Sequence, residues 1–278
     1  MTLPVFLVCA AMAQQAQNPS PMVEHTRVHT RLQQSEPPGR RETLAMGGLF
    51  IPKKLVHKKV APLLVFFHGG KWVPEVAAAK NNNTAVIAIQ VGSGSGVYAR
   101  QFEGNAKFEE LLAEAEQKSG MKFKPITIGG WSAGNGAVRE ILKSADSYAR
   151  VQRVLMIDGI HSSYVNGTPG PLESQIVPDN LQIFIKLAQD SIAGRKQAII
   201  THSEIFPGTY ASTTETADFL LSQIGLKRKP ILRWGPMGSQ QLSEVKKGRF
   251  IMAGFAGNTA PDHVDQLHSL ADYLKWFH

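Results

Sequence analysis

Cysteine is almost missing from this chain: Cys9 is the single one in 278 residues. It lies inside an apolar N-terminal stretch that is expected to be cleaved, so the mature chain would carry no thiol. That excludes disulfide staples, a thiolate nucleophile and thiolate metal ligands. A lipid anchor on Cys9 finds poor support, because Val8 stands where a small residue is expected. Charge is sparse as well. At 19 % charged and 43 % apolar residues, the chain can bury a core and does not read as disordered. Long apolar runs are also lacking, so no integral membrane segment is expected in the mature chain. Histidines and acids show no metal-ligand spacing; His263 and His268 stand at i, i+5, on different helix faces. Gly92-Ser93-Gly94-Ser95-Gly96 lacks the spacing and the Lys-Ser/Thr of a phosphate loop and reads as a flexible loop bordering a cleft. Neither a metal nor a cofactor is therefore expected.

The N-terminus is informative. Leu3-Pro4-Val5-Phe6-Leu7-Val8 leads to Ala11-Met12-Ala13 and then to polar Gln14-Gln15. An apolar core followed by small-x-small reads as a cleaved signal peptide over 1–13, although a basic leading segment is absent. The expected location is secreted or periplasmic. Residues 14–40 are polar and Pro-rich and read as a linker, and 41–278 is long enough for one large domain. The net charge is +8, spread over small groups such as Lys53-Lys54 and Lys227-Arg228-Lys229. This fits a solvated basic surface, or attraction to an anionic substrate or polymer; no motif points to nucleic acid.

From Arg41 onward, short apolar runs alternate with helical patterns. Strands are expected at 62–67, 84–91, 125–128, 151–157, 197–201 and 249–253. Helices are expected at 105–118, 133–143 and 263–276. Runs that are apolar on both faces and separated by helices imply an α/β fold, a mostly parallel sheet covered on both sides. Ligands bind such sheets beyond the carboxyl ends of the strands. Two long excursions, near 159–196 and 203–248, leave that edge and are expected to shape a cleft. The second contains Ser212-Thr213-Thr214-Glu215, a capping box ahead of a helix.

The most specific pattern is Ile126-Thr127-Ile128-Gly129-Gly130-Trp131-Ser132-Ala133-Gly134: strand, then Gly-x-Ser-x-Gly, then helix. A serine on so tight a turn needs small neighbours two before and two after, here Gly130 and Gly134. The turn lifts the hydroxyl off the sheet and sets it at a helix N-terminus, where negative charge is favoured.

With these motifs the chain resembles the α/β-hydrolase superfamily, and His68-Gly69-Gly70-Lys71-Trp72 after a buried strand resembles the His-Gly-Gly loop of its esterase and lipase branch. The resemblance runs from about Pro62 to the C-terminus. It implies an α/β-hydrolase fold with Ser132 as nucleophile and an oxyanion hole from the N–H of Ala133 with that of Gly70 or Lys71. Trp72 and Trp131 would contact substrate. The base would be a histidine after the last strand, His263, with His268 as the alternative. The acid would be Asp158, at the end of an apolar strand, or Glu204 one strand later. Asp262 could pair with His263 only locally. The implied activity is hydrolysis of a carboxylic ester, small or polymeric. An amidase or peptidase on the same framework, or an exported binding protein without catalysis, are the competing readings.

Overall fold

A computed structural model describes residues 29–81, 83–104, 106–167 and 174–277. The expected signal peptide lies outside the described residues. Ten strands form one sheet: β1 (Gly39–Thr43), β2 (Gly48–Pro52), β3 (Val60–Phe67), β4 (Ala85–Ile89), β5 (Lys122–Trp131), β6 (Arg153–Ile157), β7 (Gln197–His202), β8 (Lys229–Trp234), β9 (Gln240–Lys247) and β10 (Phe250–Phe255). Their spatial order is β1-β2-β4-β3-β5-β6-β7-β10-β9-β8. The pairs from β4 through β10 are parallel, while β1, β2, β9 and β8 pair antiparallel at the two margins. This is the α/β-hydrolase fold.

Helices cover both faces: α1 (Trp72–Asn81), α2 (Ser95–Phe102), α3 (Ala106–Ser119), α4 (Asn135–Lys143), α5 (Ala145–Arg150), α6 (Gln182–Ile192), α7 (Thr213–Gln223), α8 (Ala260–His268) and α9 (Leu270–Tyr273). The period-2 alternation of side chains divides each strand between two cores. On β3, Leu63, Val65 and Phe67 enter one core with α2, α3 and α4, while Leu64 and Phe66 enter the other with α1 and α9. Burying each such side chain contributes about 1.5–3 kcal/mol. This doubly covered sheet is a rigid base for the loops at its carboxyl edge.

Three expectations changed on folding. The excursion 203–248 is only partly an insertion, since β8 and β9 extend the central sheet as a hairpin. The stretch Gly92–Gly96 is only partly a loop: Gly94, at φ 88°, turns the chain into α2, whose first residues are Ser95 and Gly96. The last helix is broken at Ser269 and begins earlier, at Ala260, where Thr259 and Asp262 form a capping box. The capping box before α7 forms as the sequence indicates, with Ser212 Oγ accepting from the Glu215 N–H and the Glu215 carboxylate accepting from the Ser212 N–H.

Part of the stretch that reads as a linker is packed. Arg31 donates to Asp265 Oδ1 at 2.8 Å and to the Pro261 carbonyl at 3.0 Å, and Leu32 is buried. Residues 29–32 thereby lie across α8.

Candidate active site

Ser132 stands between β5 and α4 on a short 3-10 turn, with φ at +49°. A non-glycine residue in this left-handed region is strained by about 1–3 kcal/mol unless its surroundings hold it. The glycines around it make the bend sterically feasible. A Cβ on Gly134 would lie 2.3 Å from the Phe67 carbonyl oxygen, one on Gly130 would lie 2.9 Å from the Gly134 carbonyl carbon, and one on Gly159 would lie 2.8 Å from the Ser132 nitrogen. The tightness that the motif implies is therefore literal, and the Gly159 contact adds a neighbour from β6's exit loop. Ala133 follows in the first turn, where helix N–H groups have no intrahelical acceptor.

Asp158 leaves β6 in the same left-handed region, at φ +41°, and is 1 % exposed. A carboxylate so buried needs several donors. Four converge on it: Ser203 N–H and Thr213 O–H on Oδ1, at 2.8 and 2.7 Å, with Ser203 O–H and the His263 ring nitrogen Nδ1 on Oδ2, both at 2.7 Å. Burial alone would raise its pKa. The hydrogen bonds and the imidazole outweigh that and hold it at about 2, below its ordinary 3.8.

His263 lies on α8, half-buried beside Trp131. The two rings are 4.5 Å apart between centroids, and Trp131 Nε1–H donates to the His263 carbonyl at 3.0 Å. On its other side Trp131 stacks on His68, with ring centroids 5.2 Å apart. Trp131 directly precedes Ser132, so one indole links the strand-end serine, the Gly-Gly loop and the histidine of the far C-terminal helix.

The Gly-Gly loop turns sharply after β3, with His68 at φ +73° and Gly69 at φ +98°. The Gly70 carbonyl accepts from the Val73 N–H and opens α1, and Gly70 and Lys71 are exposed. His68 is fixed by Tyr98, a fully buried residue of α2 whose hydroxyl lies 3.1 Å from His68 Nδ1 and donates to Gln90.

The remaining sequence candidates make other contacts. Glu204 is exposed, and its N–H donates to the Gly257 carbonyl. His268 is 7 % exposed, and its Nδ1 accepts from the Leu32 N–H at 3.1 Å, away from Asp158. Asp262 serves the cap at Thr259, accepting from its N–H and hydroxyl. Trp72 packs edge-on against His268 and against Gly70.

Beside Ser132 lies a cavity of about 460 Å³, whose walls include His68, Ser95, Arg139, His161, Asn180 and Tyr210. The strand pattern did not single out Arg139, His161 or Tyr210. His161 follows Asp158 by three residues, and that proximity was the one available signal. Burial, with the charge of His263 adding to it against the pull of Asp158, lowers its pKa to about 4, so it is neutral at pH 7. Among the described residues, no helix is long and apolar enough to cross a membrane.

Strand order, elbow turn and the acid–imidazole pair at the sheet's carboxyl edge define a protein of the α/β-hydrolase fold. No protein-family model matches the chain, and no curated protein does. Among solved structures it is similar to an esterase from Rhizomucor miehei at 13 % identity, over 87 % of this chain and 83 % of that one, with a TM-score of 0.47. Carboxyl esterase 2 from Tuber melanosporum matches at 13 % identity, over 87 % of this chain and 86 % of that one, with a TM-score of 0.48. Acylaminoacyl peptidase from Pyrococcus horikoshii matches at 15 % identity over 91 % of this chain but 42 % of its own length, with a TM-score of 0.48.

Proposed function

We propose that the chain is an exported serine hydrolase that cleaves carboxylic esters through an acyl-enzyme on Ser132. The carrying observation is the buried Asp158 carboxylate 2.7 Å from Nδ1 of His263, the acid at the exit of β6 and the imidazole on α8, at the same sheet edge as the Ser132 bend. A ring that donates Nδ1–H to Asp158 turns its other nitrogen, Nε2, to the role of base. In the proposed reaction Oγ of Ser132 bonds to the ester carbon as its proton passes to Nε2 of His263. The oxyanion is met by the Ala133 N–H and that of Gly70 or Lys71. Collapse breaks the bond to the alcohol oxygen, which takes the proton from His263. Water, deprotonated by the same ring, then releases the acid and restores Ser132. Asp158 holds the ring's orientation and the positive charge it acquires.

Export rests on the apolar stretch over 1–13 with its small-x-small end. The net charge of +8 favours an anionic substrate. A fluorophosphonate probe tests the central reading. Stoichiometric labelling of the wild type and none of Ser132→Ala is expected, with labelling slowed in His263→Ala but not in Glu204→Gln. Equal labelling of Ser132→Ala would remove the proposal. Faster turnover of aminoacyl amides than of short p-nitrophenyl esters would instead make it an amidase.

A further inference from the structure

Among the described residues, the walls of the Ser132 cavity carry no large aliphatic side chain: His68, Ser95, Arg139, His161, Asn180 and Tyr210 face it together with small residues. A hydrocarbon chain gains its binding energy from apolar walls, at about 0.8 kcal/mol per buried CH₂. Among the described lining residues the apolar surface comes from Ala133, ring faces and the stems of polar side chains, interleaved with polar groups, which suits a short acyl group with a polar end better than a long fatty one.

Two of its polar groups have unmet hydrogen-bonding capacity. Arg139 stands on α4, two turns beyond Ser132, with its side chain 15 % exposed. Its Nε donates to Glu140 at 3.0 Å, and its two terminal nitrogens have no acceptor among the described residues. A guanidinium fork held in this way presents parallel N–H groups that match a carboxylate. His161 contributes a ring whose Nδ1 is buried without a partner among the described residues, braced edge-on by Tyr210 with ring centroids 5.3 Å apart. A buried polar atom without a partner costs stability, which a bound ligand or water can return. Among the described residues lining the cavity, Arg139 is the single permanent charge. Arg139 shares the Glu140 carboxylate with Lys143, so the three together carry one net positive charge, which balances a carboxylate monoanion, whereas a phosphate dianion would want a further cation.

We infer that the cavity is a carboxylate subsite: the ester attacked by Ser132 carries a carboxylate on the part lodged there, gripped by Arg139, with His161 and Asn180 bonding its uncharged polar atoms. Arg139 is then the residue that determines specificity. The inference rests on the serine-hydrolase reading above and narrows its substrate to acidic esters.

The test compares mono-(4-nitrophenyl) adipate with 4-nitrophenyl hexanoate, esters of equal chain length that differ in the terminal carboxylate. A hydrogen bond to a charged group corresponds to about a tenfold to hundredfold preference in kcat/KM for the adipate ester. The ratio is taken within each protein, so a general loss in a variant cancels. It is expected to collapse towards one in Arg139→Gln and to return in part in Arg139→Lys. In parallel, adipate should slow fluorophosphonate labelling of the wild type where adipamide does not, and should lose this effect in Arg139→Gln. A wild-type ratio near one with no protection by adipate, or a preference unchanged in Arg139→Gln, would overturn the subsite while Ser132 still labels. A wild type that neither labels nor turns over either ester overturns the hydrolase reading and the subsite with it.

Discussion

In Asp158→Asn the side chain keeps its shape and loses its charge. Both carboxylate oxygens of Asp158 now accept two donors each, Ser203 N–H with Thr213 O–H on one and Ser203 O–H with His263 on the other. An amide has one oxygen. If it turns that oxygen to the Ser203 N–H, which cannot rotate away, its NH₂ faces His263. The imidazole must then accept at Nδ1 and carry its proton on the nitrogen meant to serve as base. A wrong tautomer of this kind lowers kcat by about 10⁴-fold in a serine protease triad. The stability effect has a defined sign. The pKa of Asp158 falls from 3.8 to about 2 on folding, so ionisation stabilises the fold by on the order of 2 kcal/mol. That contribution is fully present above about pH 4 and is lost as the pH falls through about 2. Urea melts of wild type and variant should therefore differ at pH 7 and converge as the pH nears the folded pKa. The assay is kcat on a short p-nitrophenyl ester with fluorophosphonate labelling alongside. A variant within about tenfold of wild type in kcat would refute the tautomer argument.

Other perturbations test the supports of the site. Gly134→Ala drives a Cβ to 2.3 Å from the Phe67 carbonyl and should cost about 1–3 kcal/mol in a urea melt, with activity lost in proportion to the displaced turn; an unchanged midpoint would show that the bend has slack. Tyr98→Phe removes the hydroxyl that holds His68 and Gln90 and should cost about 1–2 kcal/mol, with a measurable fall in kcat on short esters. Arg31→Ala removes one cation from buried Asp265 and loosens α8, which carries His263; about 1–2 kcal/mol of stability should go, less at high salt because Arg31 is a third exposed. His268→Ala should leave fluorophosphonate labelling at the wild-type rate, and a loss as large as that of His263→Ala would exchange their roles.

What the sequence made legible was local. The apolar run into Gly130-Trp131-Ser132 and the helix after it lie within a few residues, so their physics is written in spacing. The same holds for the Ser212–Glu215 cap, whereas the Thr259–Asp262 cap, which starts the last helix three residues early, was not read from the sequence. The β8–β9 hairpin was hidden for a physical reason: five of the six residues of β8 are exposed, so burial imposes no apolar alternation on Lys229–Trp234, and Pro230 argues against a strand. Gly94 looked like flexibility and is instead the positive-φ hinge that starts α2 and delivers Tyr98 to His68. The surroundings of Asp158 were the least legible part. Ser203 and Thr213 stand 45 and 55 residues further along the chain, and nothing in their own neighbourhoods marks them as ligands of a carboxylate. Yet they bear on the choice between Asp158 and Glu204. A buried aspartate at a strand end is tolerable only where the fold brings donors to it, and an exposed glutamate needs none. The sheet brings those donors to Asp158 because β6 and β7 are parallel neighbours, so the loop leaving one strand lies against the loop leaving the next. Strand adjacency, which no local pattern encodes, therefore decides which acid can be held ionised beside an imidazole.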